Sequence, residues 1–450
     1  MTTLSLSAVT VRPAPLLNSY RFELLKLVSL WRVRLLLAAC WIAPGAFVAV
    51  VSRQSALPVD TVFGRLMHSS GWSGALVVLA FACSWGLPLL TALVAGDVFA
   101  VEDRLGTWRH LLVAVRSARR IFVAKALAAG SVILLLVVGL AASGAVGGVV
   151  SVGNRPLAGL DGYPFTGSEV AGRFVLAWLS VLAPTLAFAA VGLLGSVALG
   201  RSPMGLAMPA VLAVLLALAE MLPLPVIVRL ALPSQAFIAW RGLFTEHAQT
   251  GPLVVGIVVA LAWAALATVS AYHLFLRRDF TDLANDGSGR RVVLAGLLPL
   301  AALTALSVLV VALATPATGS GIDKVKLEQS LALSYGHLYV LQTEELHRPA
   351  VTEAQLGTTA ACDKGGTLKA DEGPGTDWRC VVSWHLPGAT AVGSAVYQLD
   401  VAADGRYVAD GDGPQDVNGF FQVRAPYGDA PNPLWQFDGS VDLLSPTRKD

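Results

Sequence analysis

Residues 96–127 read GDVFAVEDRLGTWRHLLVAVRSARRIFVAKAL and form a short charged stretch between two long apolar runs. Each flanking run is long enough to cross the hydrocarbon core of a bilayer, which is roughly 30 Å thick. A charged, partly helical segment between two such runs has to meet water at one membrane face. The stretch therefore predicts a chain that crosses the membrane repeatedly and carries a helical loop at that face.

The composition of the whole chain extends this prediction. Hydrophobic residues make up 55% of the 450 residues, charged residues make up 14%, and the mean hydropathy is +0.65. These values lie outside the usual range of soluble domains. Helices are expected in the apolar stretches, because a lone segment in lipid can satisfy its backbone hydrogen bonds only internally. Seven stretches are long enough to span: 33–51, 74–94, 121–146, 174–199, 205–222, 253–276 and 292–313.

The distribution of Lys and Arg predicts that the N-terminus is cytoplasmic. With that orientation the inner segments carry sixteen of these residues and the outer loops carry six, in agreement with the positive-inside bias. The stretch before Tyr20 lacks the apolar core of a cleavable signal peptide. An odd number of spans then places everything after Thr315 outside the cytoplasm.

Residues 221–251 are the one apolar stretch that we do not interpret as a span. Pro223, Pro225 and Pro233 interrupt it, and Arg229 lies at its middle. Prolines break long helices, and a charge at mid-membrane is costly. We therefore expect short re-entrant or interfacial helices here; a crossing would move the C-terminal region to the other side.

The C-terminal residues 316–450 have a different composition from the rest of the chain. They hold eighteen of the thirty acidic residues and ten of the thirty-two basic ones. This predicts a soluble extracytoplasmic domain of α+β, β-rich fold, large enough for its own core. Residues 323–346 have helical apolar spacing. Strands are expected around Cys380, in a hairpin that turns at Asp404-Gly405, and at 420–423 and 434–437.

The cysteines give an independent indication of the side of the membrane. Cys362 and Cys380 are the only cysteines of the C-terminal region, and a Gly-rich polar stretch separates them. A disulfide between them would stabilise the small domain by about 3 kcal/mol and would persist only on the oxidising side. Cys40 and Cys83 lie within apolar stretches and are expected to be packing residues.

The order of residues in the charged stretch resembles the loop after the second helix of type-2 ABC exporter permeases. The family pattern is Glu, three residues, Gly-Thr, Leu-Leu, a Pro-x-Ser turn with basic residues, and Gly-Lys at the next helix. The matching residues here are Glu102, Gly106, Thr107, Leu111, Leu112, Ser117, Arg119, Arg120 and Lys125. Val115 stands in place of the family's Pro, and Ala124 in place of its Gly. The resemblance implies that residues 96–120 contain a coupling helix that docks on an ATPase subunit; a purely basic cytoplasmic anchor is the alternative.

The segment before the first apolar stretch is similar to a second part of the same family. Residues 19–34, SYRFELLKLVSLWRVR, resemble its interfacial connecting helix with a Glu-x-x-Lys pair, here Glu23 and Lys26. The alternative is a cytoplasmic extension of the first spanning helix. The expected organisation is an N-terminus with connecting helix at 1–32, a permease domain at 33–315 and the soluble domain at 316–450.

No GxxxxGK[ST] phosphate-binding loop occurs in the chain, so we expect no ATPase activity and no cofactor of its own. The resemblance, which covers about residues 19–276, implies six family-like spans plus a seventh in a bacterial plasma membrane. It also implies a second permease copy and a separate ATPase subunit that binds ATP and Mg, with membrane lipid around them and no nucleic acid. Glu220, at the outer end of the fifth stretch, is a candidate for the exit path.

Two other classes of function remain open from the sequence. A membrane-anchored sensor or ligand-binding protein would use the C-terminal domain, but the chain shows no cytoplasmic output domain. An ion-driven secondary transporter would be expected to show internal repeats and a carboxylate near the membrane midplane, and neither is evident. The scattered histidines lack the spacing of a metal site, and no catalytic constellation indicates an enzyme.

Overall fold

The structure is a computed structural model, and the residues that it describes are mostly helical with a C-terminal antiparallel sheet. The described residues are 15–54, 57–58, 61–199, 204–222, 224–278, 280, 290, 294, 297–314, 321–365, 370–413, 419–420, 422–425 and 428–444.

Five helical segments of this described part are long and apolar enough to cross a membrane. They are α2 (Trp31–Val51), α3 (Gly71–Phe81) continuing through a π-helical turn into α4 (Leu87–Ala95), α7 (Ala118–Val152), α8 (Gly167–Ser180) with α9 (Leu182–Leu199), and α12 (Thr250–Leu276). Two shorter apolar helices are α10 (Met204–Met221) and α13 (Leu298–Ala314). All seven predicted stretches thus contain apolar helix, and five of them reach spanning length.

The predicted helix at 19–34 is two helices in the structure. The first, α1, covers Leu16–Ser29, and the backbone is extended at Leu30 (φ −66°, ψ 126°) before α2 begins. The polar side of α1 faces inward, where Ser19 and Glu23 are buried, while Phe22 and Leu25 are exposed. The segment is therefore separate from the first apolar helix and does not extend it.

The helices pack most closely where glycines face each other. A Cβ on Gly147 of α7 would lie 2.4 Å from the Cα of Gly45 in α2. A Cβ on Gly148 would lie 2.0 Å from the carbonyl oxygen of Gly71 at the start of α3. Any larger side chain would have to push the backbones apart, so these glycines set the helix spacing at this end of α7.

Residues 222–249 contain only short helical pieces where the structure describes them. They are α11 (Val226–Leu230) and two 3-10 turns, Pro233–Phe237 and Ala239–Phe244, and most of their side chains are buried. Proline begins the first of these turns, as the sequence predicts. The segment packs against α9 and α12 and continues directly into the latter.

The C-terminal region, here called the tail domain, packs a helix on a five-stranded antiparallel sheet. The helix α14 (Lys324–Glu345) begins at an Asp323 cap, and α15 (Glu353–Leu356) follows it. The sheet order is β3 (Thr359–Lys364), β4 (Gly375–His385), β5 (Val392–Val401), β6 (Arg406–Gly411) and β9 (Gln436–Ser440). A separate hairpin joins β7 (Gln422–Ala425) and β8 (Gly428–Pro431). A small hairpin of the helical part comprises β1 (Leu157–Ala158) and β2 (Pro164–Phe165).

The secondary structure and the disulfide predicted for the tail domain are largely confirmed. The β5–β6 hairpin turns at Asp404-Gly405, and Cys362 and Cys380 are directly opposed on β3 and β4, where they form a disulfide. The strands expected at 420–423 and 434–437 begin about two residues later, and Phe421 lies outside the described residues. The sheet buries Trp378, Tyr397 and Tyr407 in a core closed by α14.

The charged stretch and the tail domain lie at opposite ends of the helical bundle. We call these ends the loop face, which carries residues 96–125, and the tail face, which the tail domain covers. Helix α7 connects them: Lys125 contacts the loop, and Gly153 accepts a hydrogen bond from Gly71 N at 3.1 Å on the other side. Twenty-eight residues of helix at 1.5 Å each give a separation of about 42 Å, which suits a membrane-crossing bundle.

Candidate functional site

The charged stretch folds into two short helices. They are joined through a glycine whose backbone has the left-handed conformation. Helix α5 covers Ala100–Leu105 and α6 covers Trp108–Val115. Gly106 between them has φ +64°, a conformation that costs other residues about 1 kcal/mol or more. Ser117 then caps α7, and its hydroxyl accepts a hydrogen bond from Arg120 N at 3.4 Å. Local chemistry therefore sets the shape of the loop.

Glu102 is the centre of a buried ionic cluster. Its side chain is fully buried, and the Lys125 ammonium donates to it at 2.7 Å. The same ammonium donates to Glu23 at 2.9 Å, and both Lys26 and the Thr107 hydroxyl also donate to Glu102. Two carboxylates and two ammonium groups balance in charge, which offsets the high cost of burying any one of them.

This cluster joins parts of the chain that are far apart in sequence. Glu23 and Lys26 come from α1, Glu102 from α5, and Lys125 from the first turns of α7. A further hydrogen bond of 2.9 Å joins Tyr20 of α1 to Ser131 of α7. The resemblance assigned the connecting-helix pair and the loop residues separately, and the structure brings them into one site.

Two further carboxylates tie the loop to other helices. Asp97 pairs with Arg32 at the start of α2, and the Arg104 guanidinium lies 3.9 Å from it. Asp103 accepts from Arg278, just after α12, at 2.9 Å and from the Trp108 indole at 2.6 Å. The three acidic side chains of the loop thus hold cations from α1, α2, α7 and the end of α12.

Aromatic side chains fill the space beneath these ion pairs. The ring of Trp108 lies 5.4 Å from those of Phe275 and Phe280 and 6.4 Å from that of Phe99. The guanidinium of Arg278 lies over the same indole, 5.6 Å from its centre. Because Trp108 begins α6 and Phe275 lies in the last turn of α12, this contact fixes α6 on the bundle by packing as well as by charge.

The opposite side of α6 is open and mixed in character. Val113 is 71% exposed and Leu105 is 60% exposed. Four residues with basic side chains in the same stretch are also exposed: Arg109, His110, Arg116 and Arg119. This part of the loop therefore has a surface that is both apolar and basic.

The residues proposed from the sequence fall into three groups. Glu23, Lys26, Glu102, Thr107 and Lys125 come together in the buried cluster. Gly106 and Arg119 are exposed on the open side, and Arg120 is half-buried beside them. The side chain of Glu220 in α10 lies outside those that the structure describes.

Five members of the loop's ionic contacts were not singled out from the sequence: Asp97, Asp103, Arg32, Arg104 and Arg278. The signal that could have found them is the presence of carboxylates in a stretch that positive-inside bias marks as basic. A carboxylate among so many basic residues at a membrane face indicates an ion pair with a basic side chain of the same protein. Their particular partners depend on helix packing, which the sequence pattern does not contain.

On the tail face, a salt bridge and a hydrogen bond join the tail domain to the loops of the bundle. Arg241 donates to Asp404 at 2.8 Å, and Gln249 donates to the Ser440 carbonyl at 3.3 Å. Burial raises the pKa of Asp438, and the nearby Arg65 and Arg406 act against that rise. The acidic tail domain therefore meets arginines of the bundle, and the two parts are held by complementary charge.

Comparison with known proteins adds no assignment. No protein-family model matches the chain, and no curated protein matches it. Within the described ranges, no group of three or more His, Cys, Asp and Glu side chains is arranged to hold a metal ion. At the loop face, buried ion pairs hold the loop on the bundle, and Leu105 and Val113 stay exposed.

Proposed function

We propose that the chain is the membrane-spanning subunit of an ATP-driven exporter, which couples to a separate ATPase subunit through α6. The observation that carries this proposal is the construction of the loop face. The short helix α6 has an exposed apolar and basic surface, and in the part of the loop just before it Asp97, Glu102 and Asp103 form ion pairs with four helical segments. A loop built in this way is suited to transmit a displacement of α6 by a bound partner to the helices of the bundle.

The transmission follows from the stiffness of these contacts. Buried, charge-balanced pairs break only at a cost of several kcal/mol, so a displaced α6 draws its partners with it. Lys125 carries the displacement into α7, Arg32 carries it into α2, and Arg278 carries it to the end of α12. A sensor that only reports ligand binding would have no need of a platform connected to so many helices.

The open surface fits a protein with apolar pockets and acidic groups. Leu105 and Val113 supply the apolar contact, and the arginines around them favour a negatively charged partner. We expect this partner to bind ATP and Mg, because the chain lacks a phosphate-binding loop. The proposed orientation follows: the loop face is cytoplasmic, and the tail domain is extracytoplasmic.

An apolar groove beside the site supports a transport role. It has a volume of about 880 Å³ and lies between α7, α9 and α12, starting at Phe122 next to the aromatic contacts of α6. Its rim residues Leu134, Leu186 and Leu261 are about half exposed. We assign this groove to the translocation path, and a second copy of the chain would close its open side.

Association with an ATPase tests the proposal. We expect a gene for an ATPase with a Walker motif beside the gene for this chain, and we expect the two products to co-purify from detergent. Replacing Leu105 and Val113 together by Glu should abolish co-purification, because it places charge at the centre of the contact. The matched control is Val392→Glu, an exposed valine of the tail domain on the opposite face.

The outcomes separate the proposal from its rivals. Loss of the ATPase in the loop variant, with retention in the control at equal membrane abundance, supports docking on α6. Equal co-purification of both variants would refute the assignment of the surface. Substrate uptake by vesicles that hold only this chain, driven by an ion gradient, would favour a secondary transporter.

A further inference from the structure

A cavity of about 280 Å³ lies in the helical part of the chain, close to the tail face. Its walls are the π-helical turn between α3 and α4, the helices α9 and α10, and the turns Pro233–Phe237 and Ala239–Phe244. In the described part of the chain, the residues that line it differ from those that line the groove between α7, α9 and α12. Its volume is close to the lower limit of small-molecule sites, which is roughly 300 Å³. The cavity is therefore a second, smaller space of the bundle.

One part of the cavity wall is apolar and reaches an exposed side of the bundle. Phe188 of α9 and Leu216 of α10 are buried in this part. Trp85, in the π-helical turn, is 58% exposed, and Ala217 of α10 is exposed as well. These two residues mark the mouth of the cavity. If the bundle spans a membrane, as proposed, an apolar chain can enter through this mouth from the bilayer.

The other part of the wall contains buried polar groups without hydrogen-bond partners among the described residues. Trp240 is fully buried, and its indole N–H is one of these groups. The thiol of Cys83 lies beside it, but sulfur is a weak acceptor. The hydroxyl of Ser234, a residue that is 9% exposed, is the second such group. Unsatisfied buried polar groups are rare in native proteins, and a bound molecule is one explanation for them.

The charge and the donors at this end of the cavity indicate the kind of head group that fits. Arg241 lines the cavity, and its Nη1 donates to Asp404 of the tail domain at 2.8 Å. An indole N–H, a hydroxyl and a guanidinium are all hydrogen-bond donors, and the guanidinium is positively charged. They favour a head group that supplies oxygen acceptors and a negative charge, which a carboxylate does. The π-helical turn beside them is a feature found frequently at functional sites.

We propose that this cavity binds an amphipathic carboxylate with a chain of medium length. The carboxylate lies at Trp240, Ser234 and Arg241, and the chain runs along Phe188 towards the mouth at Trp85. Because the polar atoms of Trp240 and Ser234 are covered by the cavity wall, binding requires a small rotation of each side chain towards the carboxylate. This inference does not rest on the exporter function, since a single copy of the chain forms the whole site.

Binding of radiolabelled decanoate to the full chain in phosphatidylcholine nanodiscs tests the proposal, after binding to empty nanodiscs is subtracted. We expect saturable binding that excess unlabelled decanoate displaces. Decylamine, which has a chain of the same length and a head group that only donates when protonated, should not displace it. Trp240→Phe should weaken the affinity roughly fivefold, the effect of one hydrogen bond. The matched control is Trp263→Phe in α12, because Trp263 is also buried with an unpaired indole N–H within the described residues but lies outside the cavity. This control should keep the wild-type affinity.

Two changes at exposed positions of α10 cover the case in which Trp240→Phe does not fold. Ala217→Phe places a ring in the mouth of the cavity and should abolish saturable binding. Val214→Phe is the matched control, because Val214 is exposed on the same helix outside the cavity, and this variant should bind decanoate as the wild type does. Equal affinities of the Trp240 and Trp263 variants, or of the two α10 variants, would overturn the proposal. Displacement by decylamine as strong as that by decanoate would also overturn it, as would a wild type without saturable binding, and none of these results would bear on the docking of an ATPase.

Discussion

Replacing Glu102 by Gln removes one charge from the buried cluster and keeps the size of the side chain. Lys26 can turn towards solvent, but Lys125 is 2% exposed and keeps only Glu23, 2.9 Å away. Breaking a buried ion pair typically costs about 3–5 kcal/mol, because the other charge stays buried. We expect a loss near the lower limit, since one of the two carboxylates around Lys125 remains.

Thermal unfolding of the purified protein in detergent measures this loss. For a large domain, 1 kcal/mol shifts the midpoint by roughly 2 °C, so Glu102→Gln should lower it by about 6 °C. Trp108 lies against the cluster, and tryptophan fluorescence can follow the transition. The control is Glu344→Gln, the same chemical change at an exposed helix position of the tail domain, which should shift the midpoint by about 1 °C or less.

A double replacement separates loss of charge balance from loss of packing. Glu102→Gln with Lys125→Met leaves Glu23 and Lys26, which are one turn apart on α1 and can pair with each other. The double variant should therefore be more stable than the sum of the single effects predicts, by roughly 1–3 kcal/mol. Strictly additive losses would refute the idea that these groups form one charge-balanced cluster.

Three further predictions concern the loop and the tail domain. Cys362 and Cys380 should resist alkylation in intact cells until a reductant is added, and a reporter fused after Asp450 should be active only outside the cytoplasm. Labelling of either cysteine without reduction would contradict the disulfide or the extracytoplasmic location of the tail domain. Replacing Glu102 by Lys together with Gly106 by Trp should uncouple ATP hydrolysis from export, since one change inverts the central charge and the other places a bulky group on the exposed surface. Normal export with the partner ATPase would exclude docking of the ATPase on this loop. Deletion of residues 316–450 should leave insertion and ATPase binding intact but lower export, and full export at equal membrane abundance would make the tail domain a stabilising appendage.

Much of the architecture follows from local pattern. Apolar runs long enough for a bilayer become helices because lipid offers no alternative partner to the backbone, and all seven predicted stretches contain one. The prolines in residues 222–249 predict short helical segments in place of one long helix, and Asp404-Gly405 predicts the turn of a hairpin. The break at Leu30 was not expected, because no Gly or Pro marks it. It follows instead from the contacts of α1 with α7, which are tertiary.

The site shows the same division between local and tertiary information. The family resemblance singles out Glu102 and Lys125 in the loop and, separately, Glu23 and Lys26 in the segment before the first apolar stretch. It does not indicate that these pairs meet, since Glu23 and Lys125 are 102 positions apart. The contacts between the tail domain and the bundle lie further from prediction, because Arg241 and Asp404 are 163 positions apart.

Helix α7 is held by contacts of different stiffness at its two ends. At the tail face, Gly147 and Gly148 leave no room between α7 and its neighbours, so sliding would require the backbones to separate. At the loop face, Lys125 has two carboxylates within hydrogen-bond distance and can keep one while the other moves away. A push on α6 is therefore expected to swing α7 about its glycine contacts, some 35 Å from Lys125 by helix rise. The groove lies along the moving end of α7, so that swing would change the width of the groove most where the proposed path begins.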